Sequence, residues 1–191
     1  SLVGSQMCIR DSMRPKWKLS VEFNANAVLS LLHKANQPVW DKIRPLSLMW
    51  LAVQEDGDRY VLDSSRHKDI KKLVEHFAGE RGLPVVFPTM DLEDRRALTL
   101  TDLWGDFGDS IQRASKRYDV DSILVGRVYR ESELSWVAGW SLYQGTEVSR
   151  WENQGGSKQA AIAEGIHSAA DVMAKRYSQV LSAGLTPPLS M

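Results

Sequence analysis

The segment from Leu46 to Val53 constrains the fold of this chain more than any other. It reads L-S-L-M-W-L-A-V and lies between Pro45 and an Asp56-Gly57 turn. A short, almost entirely apolar run between turn residues is typical of a strand that is buried on both faces of a sheet. We therefore predict that the chain folds around a sheet with this strand in its interior.

The apolar pattern of the following residues predicts the other elements of that sheet. We expect strands at 46–53, 85–87, 123–129, 134–143 and 147–152, a hairpin arm at 59–62, helices at 64–82 and 106–117, and a long last helix that begins after Ser157. The order β-α-β-α-β-β-β-α predicts an α/β fold with two or three layers on one mixed sheet. Parallel buried strands are followed by an antiparallel meander, and the long C-terminal helix covers the sheet.

Alternation along the fourth strand predicts which face that last helix covers. One face carries Leu134, Trp136, Ala138, Trp140 and Leu142. The helix has its own apolar stripe, formed by Ile162, Ile166, Ala169, Met173, Tyr177 and Val180. We expect the two faces to pack together, and we expect Gly126 in the third strand to let Trp136 pack closely.

The ends of the chain differ in character from its centre. Residues 1–12 resemble a translated adapter of the kind used in DNA library preparation, so we expect them to be disordered and outside the fold. They contain the single cysteine, Cys8, and no disulfide framework is therefore expected. We assign residues 13–45 to the end of a preceding domain: a strand at 17–23, a helix at 25–35 that Asn24 caps, and a linker. The helix has an apolar stripe of Val28, Leu31, Leu32 and Ala35. Residues 46–182 are assigned to the α/β domain and 183–191 to a flexible tail.

Charge and hydropathy exclude two classes of partner. Lys and Arg total 24 and Asp and Glu total 24, which gives a formal net charge of zero. A nucleic-acid-binding domain usually has a clustered basic surface, so we expect no nucleic-acid partner. The longest apolar run, near Leu48 to Val53, is far shorter than the roughly 20 residues that span a bilayer. No transmembrane segment is expected.

Acidic residues after the second buried strand are the candidates for chemistry. The acidic segment after that strand contains Asp91, Glu93, Asp94, Asp102, Asp106 and Asp109. Ligands favour the carboxyl ends of strands in open α/β sheets. Carboxylates bind Mg²⁺ or Ca²⁺ through oxygen, but the spacing matches no calcium loop and no glycine-rich phosphate loop is present. Helix capping explains the same residues without a metal. We predict no catalytic residue, no metal and no cofactor.

Two Trp and two Arg residues are candidates for a binding surface. Trp40, Arg44, Trp104 and Arg127 are of the residue types that are enriched at interfaces, because they combine contact area with planar hydrogen bonding. The alternative is structural. In that case Trp40 and Trp104 close the ends of the core, and Arg44 pairs with a loop carboxylate such as Asp91.

Three segments carry a resemblance to a known family. They are P-V-W-D-K-I-R-P-L-S-L-M-W-L-A-V from Pro38, F-P-T-M-D-L-E-D from Phe87, and S-I-L-V-G-R from Ser122. Together they resemble the proteobacterial family called domain of unknown function 2066. The resemblance covers Trp40, Arg44, Trp104 and Arg127 and implies a periplasmic or envelope location, since such proteins commonly begin with an export signal. It implies no activity.

These observations favour a non-catalytic structural or protein-interaction domain of a bacterial envelope protein, with another protein as its partner. The alternative is a small-ligand or metal-dependent enzyme. Its site would lie in the loops after strands 46–53 and 84–87, with Asp91, Asp94, Asp102 and Trp104 around one pocket. A single concave site that contains a desolvated carboxylate would favour the enzyme.

Overall fold

The computed structural model describes residues 22–35 and 44–182. The helices are α1 (Ala25–Lys34), α2 (Lys68–Glu80), α3 (Leu92–Ala97), α4 (Leu100–Trp104), α5 (Gly108–Ser115) and α6 (Lys158–Ser182). The strands are β1 (Ser47–Glu55), β2 (Asp58–Val61), β3 (Val85–Val86), β4 (Ser122–Ser132), β5 (Ser135–Gln144) and β6 (Glu147–Gly155). A single 3₁₀ turn, Lys116–Tyr118, follows α5.

All six strands form one mixed sheet in the order β2-β1-β4-β5-β6, with β3 beside β1 at the same edge as β2. β1 is parallel to β3 and to β4. β4, β5 and β6 form an antiparallel meander, and β2 returns antiparallel to β1. The predicted α/β class, mixed sheet, closing meander and C-terminal helix are confirmed.

Helices cover both faces of the sheet, so the fold has three layers. β1 alternates between the faces: Met49, Leu51 and Val53 pack with residues of α2 and α6, whereas Leu48, Trp50 and Ala52 pack with residues of α4 and α5. Leu48 through Val53 are at most 1% exposed. The strand predicted from the apolar run is therefore buried on both faces.

The packing of α6 on the sheet depends on two glycines around Trp140. A Cβ on Gly126 would lie 2.5 Å from Leu51 Cδ1 and 2.6 Å from Trp140 Cζ3. A side chain at Gly165 of α6 would collide with the same indole ring. Gly126 thus accommodates Trp140, and the predicted accommodation of Trp136 is wrong.

The face of β5 that packs on α6 agrees with the prediction, apart from its first residue. Trp136, Ala138, Trp140 and Leu142 are buried there, but Leu134 is 84% exposed because it lies in the turn before the strand begins. The facing residues of α6 also agree: Ile162, Ile166, Ala169 and Met173 are buried. The side chains of Tyr177 and Val180 lie outside the described part of the chain.

Several boundaries differ from prediction for local reasons. α2 begins at Lys68, later than the predicted start at 64, because Asp63 accepts hydrogen bonds from Ser65 and holds residues 64–66 in a turn. The helix α4 was not predicted. β4 and β6 each extend three residues beyond their predicted ends.

The helix α1 forms where the sequence predicts it, with Asn24 as its N-cap. Its predicted apolar stripe is not buried, since Leu31 is 65% exposed. Most of the predicted strand 17–23 lies outside the described residues, and Glu22 and Phe23 have no regular structure. Among the helices in the described ranges, none is both long and apolar enough to cross a membrane.

Candidate functional site

The loop between α4 and α5 places one carboxylate over the sheet. Asp106 has φ +54°, in the left-handed region that Asp tolerates better than most residues. Its side chain is 9% exposed. It accepts hydrogen bonds from Ser141 Oγ at 2.8 Å, Tyr143 OH at 2.6 Å and Arg150 Nε at 2.7 Å. We call these four residues the Asp106 network.

The Asp106 network shifts the protonation equilibria of its members. Burial raises the pKa of Asp106, but the hydrogen bonds from Tyr143, Arg150 and Ser141 outweigh it, so the pKa is lowered overall. Burial, followed by the hydrogen bond to Asp106, raises the pKa of Tyr143. The carboxylate is therefore charged and the phenol neutral at physiological pH. The network ties the loop to β5 and β6.

Next to this network lies a group of four residues that we call the arginine–aromatic surface: Arg59, Trp104, Arg127 and Tyr129. The guanidinium carbon of Arg59 lies 4.4 Å from the centre of the Trp104 ring. The rings of Trp104 and Tyr129 are 6.2 Å apart at an angle of 57°. Arg127 and Tyr129 are two positions apart on β4 and therefore share a face. Three different elements thus contribute to one surface.

Arg127 lies flat over a glycine of the neighbouring strand. A Cβ on Gly139 would meet its Nη2 at 3.5 Å, an ordinary contact distance. Nη2 donates to Ser141 Oγ at 3.4 Å, and the charge of Arg127 contributes to lowering the pKa of Asp106. Arg127, Tyr129, Gly139 and Trp104 are all partly exposed. The helices α3 to α5 therefore leave this part of the sheet partly open.

The other candidate carboxylates belong to a separate network around Arg117. Asp91 caps α3 and forms two hydrogen bonds of 2.9 Å with the Arg117 guanidinium. The hydrogen bond from Arg117, followed by the backbone N–H of Asp94, holds the pKa of Asp91 well below its usual range. Asp91 is therefore occupied by Arg117, and the predicted pairing of Asp91 with Arg44 is not formed.

Asp94 is the buried centre of the Arg117 network. Its side chain is fully buried and accepts from Tyr118 OH at 2.5 Å, Met90 N–H at 2.8 Å and Arg117 Nη1 at 3.2 Å. Met90 has φ +57°, an unfavourable conformation for this residue type. The hydrogen bond to Asp94 holds the strained loop in place, so a structural role accounts for every contact of this carboxylate.

The remaining candidates do not join either network. Asp102 forms a capping box with Thr99 at the start of α4, and the hydrogen bonds from Thr99 lower its pKa. The guanidinium of Arg44 lies 3.5 Å from the position of a Cβ on Gly82, beyond the end of α2. Burial lowers the pKa of Arg44. Trp40 lies outside the described residues.

Of the predicted site residues, Asp91 and Asp94 share Arg117, whereas Trp104 and Arg127 lie on the same face of the sheet. Asp102 caps α4 and Trp104 stacks under Arg59, so the four residues of the predicted pocket have separate partners. Within residues 22–35 and 44–182, no three His, Cys, Asp or Glu side chains are grouped so that they could hold a metal ion. A cleft of about 250 Å³ lies elsewhere, between the end of α5 and the start of β4, and includes Lys116, Asp121 and Tyr143.

Comparison with known proteins adds little to this geometry. No family model and no curated protein sequence matches the chain. Among solved structures, the N-terminal domain of Protein Y from Thermus thermophilus matches with a TM-score of 0.34 and 11% identity, over 71% of this chain and 99% of that one. A likeness at this level carries no conclusion about fold or function.

Arg59 and Tyr129 were not among the predicted site residues, although both had a signal in the sequence, and Asp106 was predicted only as part of the acidic segment. Tyr129 follows Arg127 by two positions in a predicted strand, so it had to share the face of Arg127. Arg59 follows a two-residue turn and pairs with Gln54. The role of Asp106 had no such signal, because its partners are 35 to 44 residues away in sequence.

Proposed function

We propose that this chain is a non-catalytic protein-interaction domain of a bacterial envelope protein, and that it binds its partner through the arginine–aromatic surface. The observation that carries the proposal is the exposed Arg59 over the partly exposed Trp104, with Tyr129 tilted against that ring and Arg127 on the same face. Arg and aromatic side chains provide most of the binding energy in protein interfaces, because they bury large areas and keep polar groups for hydrogen bonding.

Rigidity of the surface supports this proposal. Tyr129 and Arg127 are fixed by the central strand β4, and Trp104 packs into the core beside α5. Arg59 is fixed by a hydrogen bond of 2.7 Å from its Nε to Gln54 Oε1 in addition to the Trp104 stack. Side chains that are already ordered lose little entropy when they bind, which favours affinity.

The chemistry of the surface favours a partner that offers carboxylates between apolar groups. The guanidinium groups of Arg59 and Arg127 can bind carboxylates, and the rings of Trp104 and Tyr129 can pack against apolar side chains. No three-ligand metal group exists in the described ranges, and the predicted carboxylates have structural partners there. These observations favour binding over catalysis.

Reversing the charge at Arg59 tests whether the arginine–aromatic surface binds a partner protein. Arg59→Glu removes the Trp104 stack and repels acidic partners, whereas Lys72→Glu makes the same change at an exposed position of α2, in the opposite layer. Tagged versions are expressed in the bacterium of origin and their bound proteins are quantified by mass spectrometry. We expect a partner that is retained by the wild type and by Lys72→Glu and is lost with Arg59→Glu.

The proposal is abandoned if no protein depends on Arg59. It is also abandoned if purified protein shows a turnover that both Asp91→Ala and Asp102→Ala abolish. The envelope location is supported by the resemblance of the Pro38, Phe87 and Ser122 segments alone. Subcellular fractionation tests it independently: recovery in the periplasmic or membrane fraction is expected, and recovery in the cytoplasm contradicts it.

A further inference from the structure

We infer that β6 pairs with β6 of a second copy of this chain, so that two sheets join into one continuous antiparallel sheet. β6 forms one end of the sheet, and no described strand pairs with its outer side. It runs for nine residues, Glu147–Gly155, without a proline or a lysine. Natural proteins usually protect a long edge strand with such residues, because its free N–H and C=O groups pair readily with another strand.

The backbone of β6 has a defined outward side. Gly145, with φ +60°, and Thr146 form a two-residue turn between Gln144 and Glu147. The pair beside such a turn is hydrogen-bonded, and bonded pairs alternate with non-bonded pairs along the two strands. The outward backbone groups therefore belong to Val148, Arg150, Glu152 and Gln154.

One register of antiparallel pairing fits these outward groups and the side chains. With a two-fold axis at Trp151, Arg150 lies opposite Glu152 of the second copy, and Val148 lies opposite Gln154. About eight backbone hydrogen bonds result, since each bonded pair exchanges two. Trp151 faces Trp151, and Ser149 faces Asn153. No like charges face each other in this register.

The neighbouring registers are unfavourable. Moving the two-fold axis to residue 150 places Arg150 opposite Arg150, and moving it to residue 152 places Glu152 opposite Glu152. Like charges that face each other across strands are destabilising, so the sequence E-V-S-R-W-E-N-Q-G favours the pairing about Trp151 over both neighbouring registers. The strand is complementary to itself.

The side chains of β6 are available for this pairing. Glu152 is exposed, and no carboxylate–cation pair of the described residues includes it. Arg150 is 56% exposed and donates its Nε–H to Asp106. A guanidinium has five N–H donors, so Arg150 has further donors for Glu152 of the second copy. On the other face, Trp151 stacks on Trp140 and is only partly buried. Pairing covers its remaining exposed area.

Sedimentation of the full chain over a range of concentrations tests the association. We expect a monomer–dimer equilibrium. In Glu152→Arg, the introduced side chain of each copy lies opposite Arg150 of the other copy, so like charges meet at two places in the dimer. The dissociation constant should rise at least about tenfold. Asp58→Arg is the matched control, because it makes the same change of charge on β2 at the opposite edge of the sheet. It should leave the dissociation constant unchanged.

Disulfide formation tests the register. In a Cys8→Ser background, Ser149→Cys combined with Asn153→Cys should give a covalent dimer on oxidation, because these positions face each other as non-bonded pairs with closely spaced Cα atoms. Ser149→Cys alone should not. Circular dichroism confirms that each variant is folded.

A chain that stays monomeric at every concentration overturns the inference. So does a dimer that Glu152→Arg leaves intact and that the two cysteines do not link. Neither result affects the proposed partner binding, which depends on the arginine–aromatic surface and is measured separately.

Discussion

At the scale of single residues, Asp106 has the most consequential contacts in this chain. Three side chains from β5 and β6 donate to it, and its backbone lies in the left-handed region. It connects the loop after Trp104 to β5 and β6. The position of Trp104 in the arginine–aromatic surface therefore depends on a carboxylate that is not part of that surface.

Asp106→Asn isolates the charge of this residue, since Asn also tolerates a positive φ. We expect the free energy of unfolding at pH 7 to fall by about 1–2 kcal/mol, because hydrogen bonds to a charged acceptor are weakened. Asp109→Asn, at an exposed position of α5, should change it by less than about 0.5 kcal/mol. Urea unfolding measures both.

The pH dependence of this difference has a definite sign. The pKa of Asp106 is lowered in the folded protein. Its charge therefore contributes stability above the unfolded pKa of about 4, and that contribution is lost as the pH falls through the folded value. The difference in the free energy of unfolding between wild type and Asp106→Asn should be largest near neutral pH and should decrease in acid. A difference that is constant or that increases in acid contradicts this role.

At the scale of elements, the sequence predicted the sheet better than the layer that carries the candidate site. Leu48–Val53 and the alternation from Trp136 to Leu142 are strong signals, because burial sets a period of two along a strand. The five-residue helix α4 has no such signal. A capping box between Thr99 and Asp102 defines it, and a propensity argument over so few residues is weak.

The contacts of the acidic residues could also be predicted only in part from local sequence. The sequence placed Asp91 and Asp94 in one loop, and helix capping by Asp91 follows from local spacing. Arg117 and Tyr118, which bind them, come from 23 to 26 residues further along the chain. Contacts of that kind depend on how α5 packs against α3, which local patterns do not specify.

The packing of α6 against the sheet gives a prediction at this scale. Gly126→Ala places a methyl group against Leu51 and Trp140, where neither strand has room to move. We expect a loss of about 1–3 kcal/mol in the free energy of unfolding. Gly139→Ala is the control, since the nearest atom to its Cβ is Arg127 Nη2 at 3.5 Å, an ordinary contact distance.

Thermal and urea denaturation measure the stability of the two alanine variants. We expect Gly126→Ala to be clearly less stable than Gly139→Ala. Equal stabilities would show that close approach at Trp140 does not set the distance between α6 and the sheet.

At the scale of the whole molecule, binding features are concentrated on one side of the sheet. The face with α3 to α5 carries the arginine–aromatic surface and the Asp106 network, and Arg150 links that network to the open edge of β6. The other face is closed by α2 and α6. With a net charge of zero, this chain relies on local groups of side chains and not on an overall field.

The two proposed interactions therefore use separate parts of the molecule. Pairing of the β6 edges would join two copies, and the arginine–aromatic surface of each copy would bind a different protein. A dimer would carry two such surfaces, and this bivalency raises the apparent affinity for a partner that has two or more binding sites.

Photo-crosslinking from the arginine–aromatic surface tests whether this surface contacts a partner protein. A benzophenone-bearing phenylalanine replaces Tyr129 in one version and Lys72 in another, and both are irradiated in living cells. We expect a discrete adduct with one other protein from position 129 and none from position 72. If position 129 gives no adduct, or if both positions give the same products, this surface is not where the domain binds its partner.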